Sequence, residues 1–273
     1  MGNSIDDMKK IFVAVTVLLA ACSSQRQINT TTKNAELVTN GKLFASAYQQ
    51  RAAEYKALCF QAFNFAHLRL NEMVQTSSTK PRAIITDIDE TILDNSAYEV
   101  HQTLHGKDYE PATWYEWTAK VAADTVPGAP TFLKYAASKG VEIFYITNRE
   151  ERERASTLQN LQHFNLPNAD NAHLIPRQPN TSSSKETRRQ DVMKNYNVLL
   201  LLGDNLADFS ALFDKKTEAE RQQNVASVAN EFGNRFIVLP NSVYGDWESA
   251  MYNYGRLTQS QKDSVVRASV KGY

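Results

Sequence analysis

The sequence predicts an α/β fold: a doubly wound parallel sheet, preceded by an N-terminal helical region and carrying a small helical, aromatic cap. Three observations carry that prediction. Short apolar runs at 83–86, 141–146, 198–202 and 236–239 lack polar alternation, the pattern of strands covered on both faces. Segments with apolar residues three and four apart lie between them, as crossover helices do. Two of the runs end abruptly in acids, Asp87 with Asp89 and Asp204 with Asp208, at the strand ends where open α/β sheets bind ligands.

Length and charge narrow the classes. At 273 residues the chain suffices for one large α/β domain or two small ones. Its net charge is zero with no basic block, which argues against a nucleic-acid polymer as partner. A small anion held by a metal and one or two cations stays open.

The N-terminus lies outside the expected fold. Lys9 and Lys10 precede an apolar run from Ile11 to Ala21, too short for a bilayer span and laid out like a secretory signal. Leu19-Ala20-Ala21-Cys22 resembles the lipobox of bacterial lipoproteins. That resemblance implies a signal peptide over 1–21, a lipid on Cys22 and a bacterial cell-envelope location at the outer membrane. Met1 to Asp7 reads as an upstream extension, with Met8 as an alternative start. Residues 22–35 are polar and aperiodic and read as a flexible tether, leaving 36–273 as the folded domain. With Cys22 lipidated, Cys59 has no disulfide partner, and its apolar helical context makes it a core residue.

In chain order, 36–75 reads as helical, with Leu43, Phe44, Ala47, Tyr48, Tyr55, Leu58, Ala62 and Phe65 as its packing stripe and His67 as structural. The strand at 83–86 delivers the first acids. An insertion over about 96–125 follows, rich in aromatics including Tyr98, Tyr109, Trp114, Tyr115 and Trp117. It reads either as a lid whose rings stack on a planar substrate or as a small satellite core. A helix begins near Val126 with Pro in its first turn and ends at Gly140. Strand 141–146 leads to Thr147, Asn148 and Arg149, and a charged helix runs to Phe164. A short strand at 172–175, a polar loop, a helix from Lys185 to about Asn195 and strand 198–202 bring the second acids. A helix at 218–232, strand 236–239, an aromatic loop with Tyr244 and Trp247, and a helix at 258–271 complete the chain.

The acids specify chemistry. On an extended segment Asp87 and Asp89 point to one side. Two carboxylates that close repel by about 4 kcal/mol at an effective dielectric of ~20. Such a site must hold a cation or keep one carboxyl protonated. An acidic turn that merely caps a helix would explain one such pair, but two strands ending this way point to a shared site. Arg-His-Gly, His-Cys-x₅-Arg and Gly-rich P-loop signatures are absent, and the five His residues show no metal-ligand spacing.

Asp87/Asp89, Thr147, Lys185 and Asp204/Asp208, in that order, resemble the four motifs of the haloacid dehalogenase superfamily. More narrowly, the stretch from Ile84 to Tyr98 and that from Leu201 to Phe209 resemble the two signatures of class C bacterial acid phosphatases of the lipoprotein e (P4) type. Thr86 departs from the aliphatic residue usual before the first acid. The resemblance implies a haloacid dehalogenase-like Rossmannoid core and a Mg²⁺-dependent phosphomonoesterase. Asp87 would be the nucleophile, and Asp89 the general acid and base, protonated when substrate arrives and so favouring an acidic optimum. Asp87, Asp204 and the backbone carbonyl of Asp89 would be the metal ligands, all oxygen as Mg²⁺ prefers. Thr147 and Lys185 would hold phosphoryl oxygens, with Asp208 orienting Lys185 or a metal-bound water. Asn148 and Arg149 would touch phosphate or cap a helix. Trp114 or Tyr115 and Tyr244 or Trp247 are the expected flanks of an aromatic leaving group. The family implies 5′-nucleotides as substrates and often a homodimer. A phosphotransferase sharing the intermediate, or a surface lipoprotein binding haem or a nucleotide, are the alternatives.

Overall fold

The computed structural model describes residues 37–273. The expected signal peptide, tether and Cys22 lie outside the described residues. Two helices open the fold, α1 (Leu37–Arg51) and α2 (Ala53–Met73), broken at Ala52, whose ψ of 129° is extended. The sequence had suggested one helical stretch.

The sheet follows the prediction. Strands β1 (Arg82–Thr86), β4 (Val141–Glu150), β5 (Leu174–Arg177), β6 (Asn197–Gly203) and β7 (Phe236–Val238) are parallel in the order β5-β4-β1-β6-β7. A two-residue antiparallel ribbon, β2 (Leu93–Asp94) with β3 (Asp124–Thr125), closes the base of the insertion. The insertion itself forms α3 (Ser96–Leu104) and α4 (Pro111–Thr118). Crossovers are α5 (Ala129–Ser138), α6 (Arg154–His163), α7 (Glu186–Asn195) and α8 (Glu218–Ser227), and the chain ends in α9 (Asp246–Met251) and α10 (Gln259–Ser269).

Each central strand feeds two cores because successive side chains face opposite ways. Ile84, Ile143, Tyr145, Leu200 and Leu202 join Phe63, Leu70, Phe132 and Leu161 on one face. Ala83, Ile85, Phe144, Ile146 and Leu201 join Val192, Phe209 and Phe236 on the other. Burial on both faces is why these strands read as unbroken apolar runs. Cys59 is a buried free thiol, and His67 packs 5.1 Å from Phe132 and 4.5 Å from Tyr135.

The N-terminal stripe requires correction. Helix α1 buries Thr39, Lys42, Ser46 and Gln49, whereas Phe44 is 80% exposed and Tyr48, Leu58 and Phe65 also face outward. The reason is what α1 covers. Gln49 donates to Asp94 at 2.8 Å, Lys42 to Asp108 at 2.9 Å, and Asp263 of α10 accepts from the backbone N–H groups of Leu37 and Val38. Its inward face therefore meets polar groups, not the apolar core.

The insertion forms a small satellite core that also borders a cavity. Tyr98 and Trp114 pack edge-to-face at 5.1 Å in a small core, while Tyr109 and Trp114 line a cavity beside the strand ends.

Gly128, which opens α5, sits at φ +92°, and an added Cβ would stand 2.9 Å from Phe63 Cδ2. Gly128→Ala combines backbone strain with overpacking, together about 1–3 kcal/mol. A lower thermal midpoint in calorimetry is the expected result.

Candidate active site

Three adjacent strands converge on one point. β1 ends at Asp87, whose N–H donates to Leu202 O of β6 at 2.9 Å. β6 ends in Gly203 and is followed by Asp204, and β4 carries Thr147, Asn148 and Arg149. A short 3₁₀ turn after β6 returns Asp208, whose Oδ2 accepts from Asn205 N at 3.0 Å. Gly203 permits that return: a Cβ there would overlap the Asp208 side chain.

Carboxylate oxygens of Asp87, Asp204 and Asp208 lie within 4.8 Å of one another. Lys185, buried at the start of α7, donates to Asp87 Oδ1 and to Asp208 Oδ1, the latter at 2.6 Å. Burial lifts the Asp87 carboxyl, Lys185 opposes that, and Asp208 and Asp89 add to it, leaving Asp87 at about 7. Asp204 rises well above the carboxylate range, through burial first and then Asp208 and Asp87. Facing Asp204, Asn241 donates at 2.7 Å and Thr91 at 3.4 Å. Three converging acids face one ammonium, and every donor is a hard oxygen. That set fits a hard divalent cation.

Asp89 stands apart from these three. Its Oδ1 accepts from Arg149 Nη2 at 2.7 Å, from Arg149 Nε at 3.0 Å and from Asn95 at 2.9 Å. Arg149 thus holds an acid. Thr147 is fully buried, with Oγ1 accepting from Arg149 N at 3.0 Å. Asn148 reaches the cavity, held by Arg188, which also donates to Thr147 O at 2.6 Å.

The aromatic expectations divide. Trp114 and Tyr244 line a cavity of about 540 Å³, a volume suited to a small-molecule ligand. Tyr115 instead lies under the Arg152 guanidinium at 4.3 Å. Trp247 is 41% exposed and faces Leu206, Arg221 and Met251. Each is one residue along a helix from a cavity-lining neighbour, Trp114 or Asp246, and that step turns a side chain by about 100°.

Several residues of the site have partners that the sequence did not reveal. Glu90 is buried at φ 55°, accepting from Asn95 N at 2.7 Å and from Tyr244 OH, so it ties the first motif to the aromatic wall. Arg149, Asn241 and Arg188 hold Asp89, Asp204 and the tip of β4. A Glu following two aspartates was the one visible hint.

Residues 8–247 match the family described as HAD superfamily, subfamily IIIB (acid phosphatase). The chain belongs to that family. The class C acid phosphatase of Bacillus anthracis with tungstate bound is 37% identical, with a TM-score of 0.83, over 87% of this chain and 99% of that one. A second structure of the Bacillus anthracis enzyme is also 37% identical, with a TM-score of 0.83, over 86% and 99%. The chain is therefore an acid phosphatase of the class C type, acting on phosphomonoesters, with the haloacid dehalogenase-type parallel sheet expected from its sequence.

One buried acid of the cavity wall shows how charge and stability are linked. Glu99 on α3 is held up at about 7, by burial first, against the pull of Lys42 and with the push of Asp108 and Glu248. Its unfolded value is near ~4.3. The raised carboxyl leaves stability intact below the unfolded value and removes it as pH rises through about 7. Glu99→Gln should therefore gain stability over the wild type, by about 1–3 kcal/mol at pH 8. Denaturant melts should show that gain vanishing by pH 4.

Proposed function

We propose that the chain hydrolyses phosphomonoesters with planar aromatic leaving groups, nucleoside 5′-monophosphates among them, through an aspartyl-phosphate on Asp87. The observation that carries this reading is the convergence of Asp87, Asp204 and Asp208 on Lys185 beside a cavity walled by Trp114, Tyr109 and Tyr244.

Asp87 attacks phosphorus, forming an Asp87–phosphate bond as the bond to the leaving oxygen breaks. Asp89 gives that oxygen a proton, then takes one from the water that cleaves the acyl phosphate and releases inorganic phosphate. Arg149 and Asn95 hold the Asp89 carboxyl in place for both transfers. Lys185 keeps Asp87 and Asp208 at fixed positions and sets a buried positive charge beside the incoming phosphoryl oxygens. Thr147, through its bond to Arg149 N, shapes the turn at the end of β4, and Asn148 is the polar group of that turn that faces the cavity. Asp87, Asp204 and Asp208 would hold Mg²⁺, with the Asp89 carbonyl as a further oxygen. When bound, Mg²⁺ neutralises charge on the phosphoryl oxygens. Tungstate, bound in the Bacillus anthracis relative, is an oxyanion, which supports a phosphoryl-binding role for this fold. The same covalent intermediate would serve an alcohol acceptor.

Asp87→Asn should lower turnover of p-nitrophenyl phosphate at least ~10³-fold with the circular dichroism unchanged. Chelation should stop the wild type and Mg²⁺ restore it. Full turnover by the Asn variant would remove the nucleophile assignment, and full turnover in chelator would remove the metal.

Cys22 would anchor the enzyme to the bacterial envelope. No described helix is long and apolar enough to cross a membrane. The exposed Phe44, Leu58 and Phe65 support pairing with a second copy. A Cys22→Ala form should leave the membrane fraction and sediment at twice the chain mass. Retention on membranes would count against the anchor, and a monomer against the pairing.

A further inference from the structure

The catalytic cavity has a second end. One wall runs from Asp89 through Arg149, whose guanidinium is 5.7 Å from the Trp114 ring centre, to Tyr109, 6.0 Å beyond Trp114. Asp108 follows, the next residue along. The other wall runs from Asp204 through Asn241 and Tyr244 to Glu248 on α9. Both meet at Lys42 of α1, 2.9 Å from Asp108 Oδ1 and 3.1 Å from Glu248 Oε2.

Charge at this end does not balance. Lys42 is committed to Asp108 and Glu248, and Lys262 of α10 to Asp108. Glu99 is a third acid beside these two ammonium groups, both of which are bonded to other acids. It is 4% exposed, lines the cavity and accepts no hydrogen bond among the described residues. Its carboxyl faces the cavity, where a group on a ligand can reach it. Both cations here are already paired, so the end of the cavity lacks a donor rather than an acceptor.

We propose that Glu99 accepts a hydrogen bond from an amino or N–H group on the planar leaving group of the phosphomonoester, making it a specificity residue at the cavity end opposite Asp87. The proposal rests on the phosphomonoesterase reading above. A ring lying along Trp114, Tyr109 and Tyr244, with its phosphate at Asp87, would direct its far edge toward α3.

The test uses the Mg²⁺-loaded enzyme and three substrates. Adenosine 5′-monophosphate carries the amino group, purine riboside 5′-monophosphate lacks it, and p-nitrophenyl phosphate reports chemistry alone. The wild type should prefer the amino-bearing nucleotide by at least ~10-fold in kcat/KM, the range of one charge-assisted hydrogen bond. In Glu99→Gln and Glu99→Ala that preference should shrink to within about threefold. Equal kcat/KM on the two nucleotides by the wild type, with p-nitrophenyl phosphate turned over, would overturn the role of Glu99 and leave the phosphatase reading standing. Equal proportional losses on all three substrates in the variants would mark Glu99 as structural and also overturn it. Failure of the wild type to hydrolyse any of the three would overturn the underlying reading instead. The wild-type comparison decides even where a variant does not fold.

Discussion

A single ammonium group carries much of the electrostatic load of this site. Asp87 and Asp208 are both buried, and Lys185 is in hydrogen-bond contact with each. Without it, two carboxylates at such range would repel by about 4 kcal/mol at an effective dielectric of ~20, with Asp204 adding to the excess. Lys185 answers only part of that. Asp204 is still held well above the carboxylate range and Asp87 at about 7. The unanswered part is what suits the cluster to a hard cation, since a cation there would remove a penalty already present in the fold.

The sheet makes this arrangement stable. β1 lies between β4 and β6, so one strand is followed by Asp87 while its neighbours carry Thr147 and the acids after Gly203. Two apolar cores, one per face, hold the three strands in register. Parallel registration fixes where each chain leaves the sheet, and the acids occupy the first positions past it. One strained residue lies at the same place. Glu90 adopts φ 55°, a conformation costing about 1–3 kcal/mol for a non-glycine residue. Bonds from Asn95 N and Tyr244 OH hold it there.

How far the sequence could be read follows from how each signal is encoded. Asp87, Asp89, Asp204 and Asp208 were legible because an acid directly after a buried strand contradicts the apolar run before it. The strands were legible for the same reason, and β4 was read four residues short because Thr147-Asn148-Arg149-Glu150 is polar and pairs with β5 again only at Glu150, past a register shift. Burial of a polar helix face was not legible. Lys42, Gln49 and Glu99 look like solvated residues, and Phe44 and Phe65 look like core, until α1 is seen to cover charged groups. Of each alternative pair of aromatics, Tyr115 and Trp247 lie off the cavity for a geometric reason, since helix phase turns adjacent side chains apart and composition does not show it. Arg149 was seen, but its partner Asp89 lies in another motif, a relation no local pattern contains.

The inverted polarity of α1 links fold to specificity. A helix whose inward face is polar contributes little hydrophobic stabilisation, and packing of an amphipathic face is the main source of helical stability in proteins. What α1 gains instead is a set of charge-assisted contacts, from Lys42 to Asp108 and Glu248 and from Asp263 to its N-terminal N–H groups. Buried ion pairs of this kind roughly break even against well-packed apolar residues, so stability alone would not select them over a leucine face. Their effect is to close one end of the cavity with polar groups at fixed positions. The phosphate end performs chemistry common to the family, and the α1 end is where a leaving group can be told from its analogues. Cleavage of the phosphate ester and discrimination among esters are thus assigned to different elements. Substitutions in α1, α3 and α10 can change which ester is preferred while the strand ends that carry Asp87 and Asp204 keep their register.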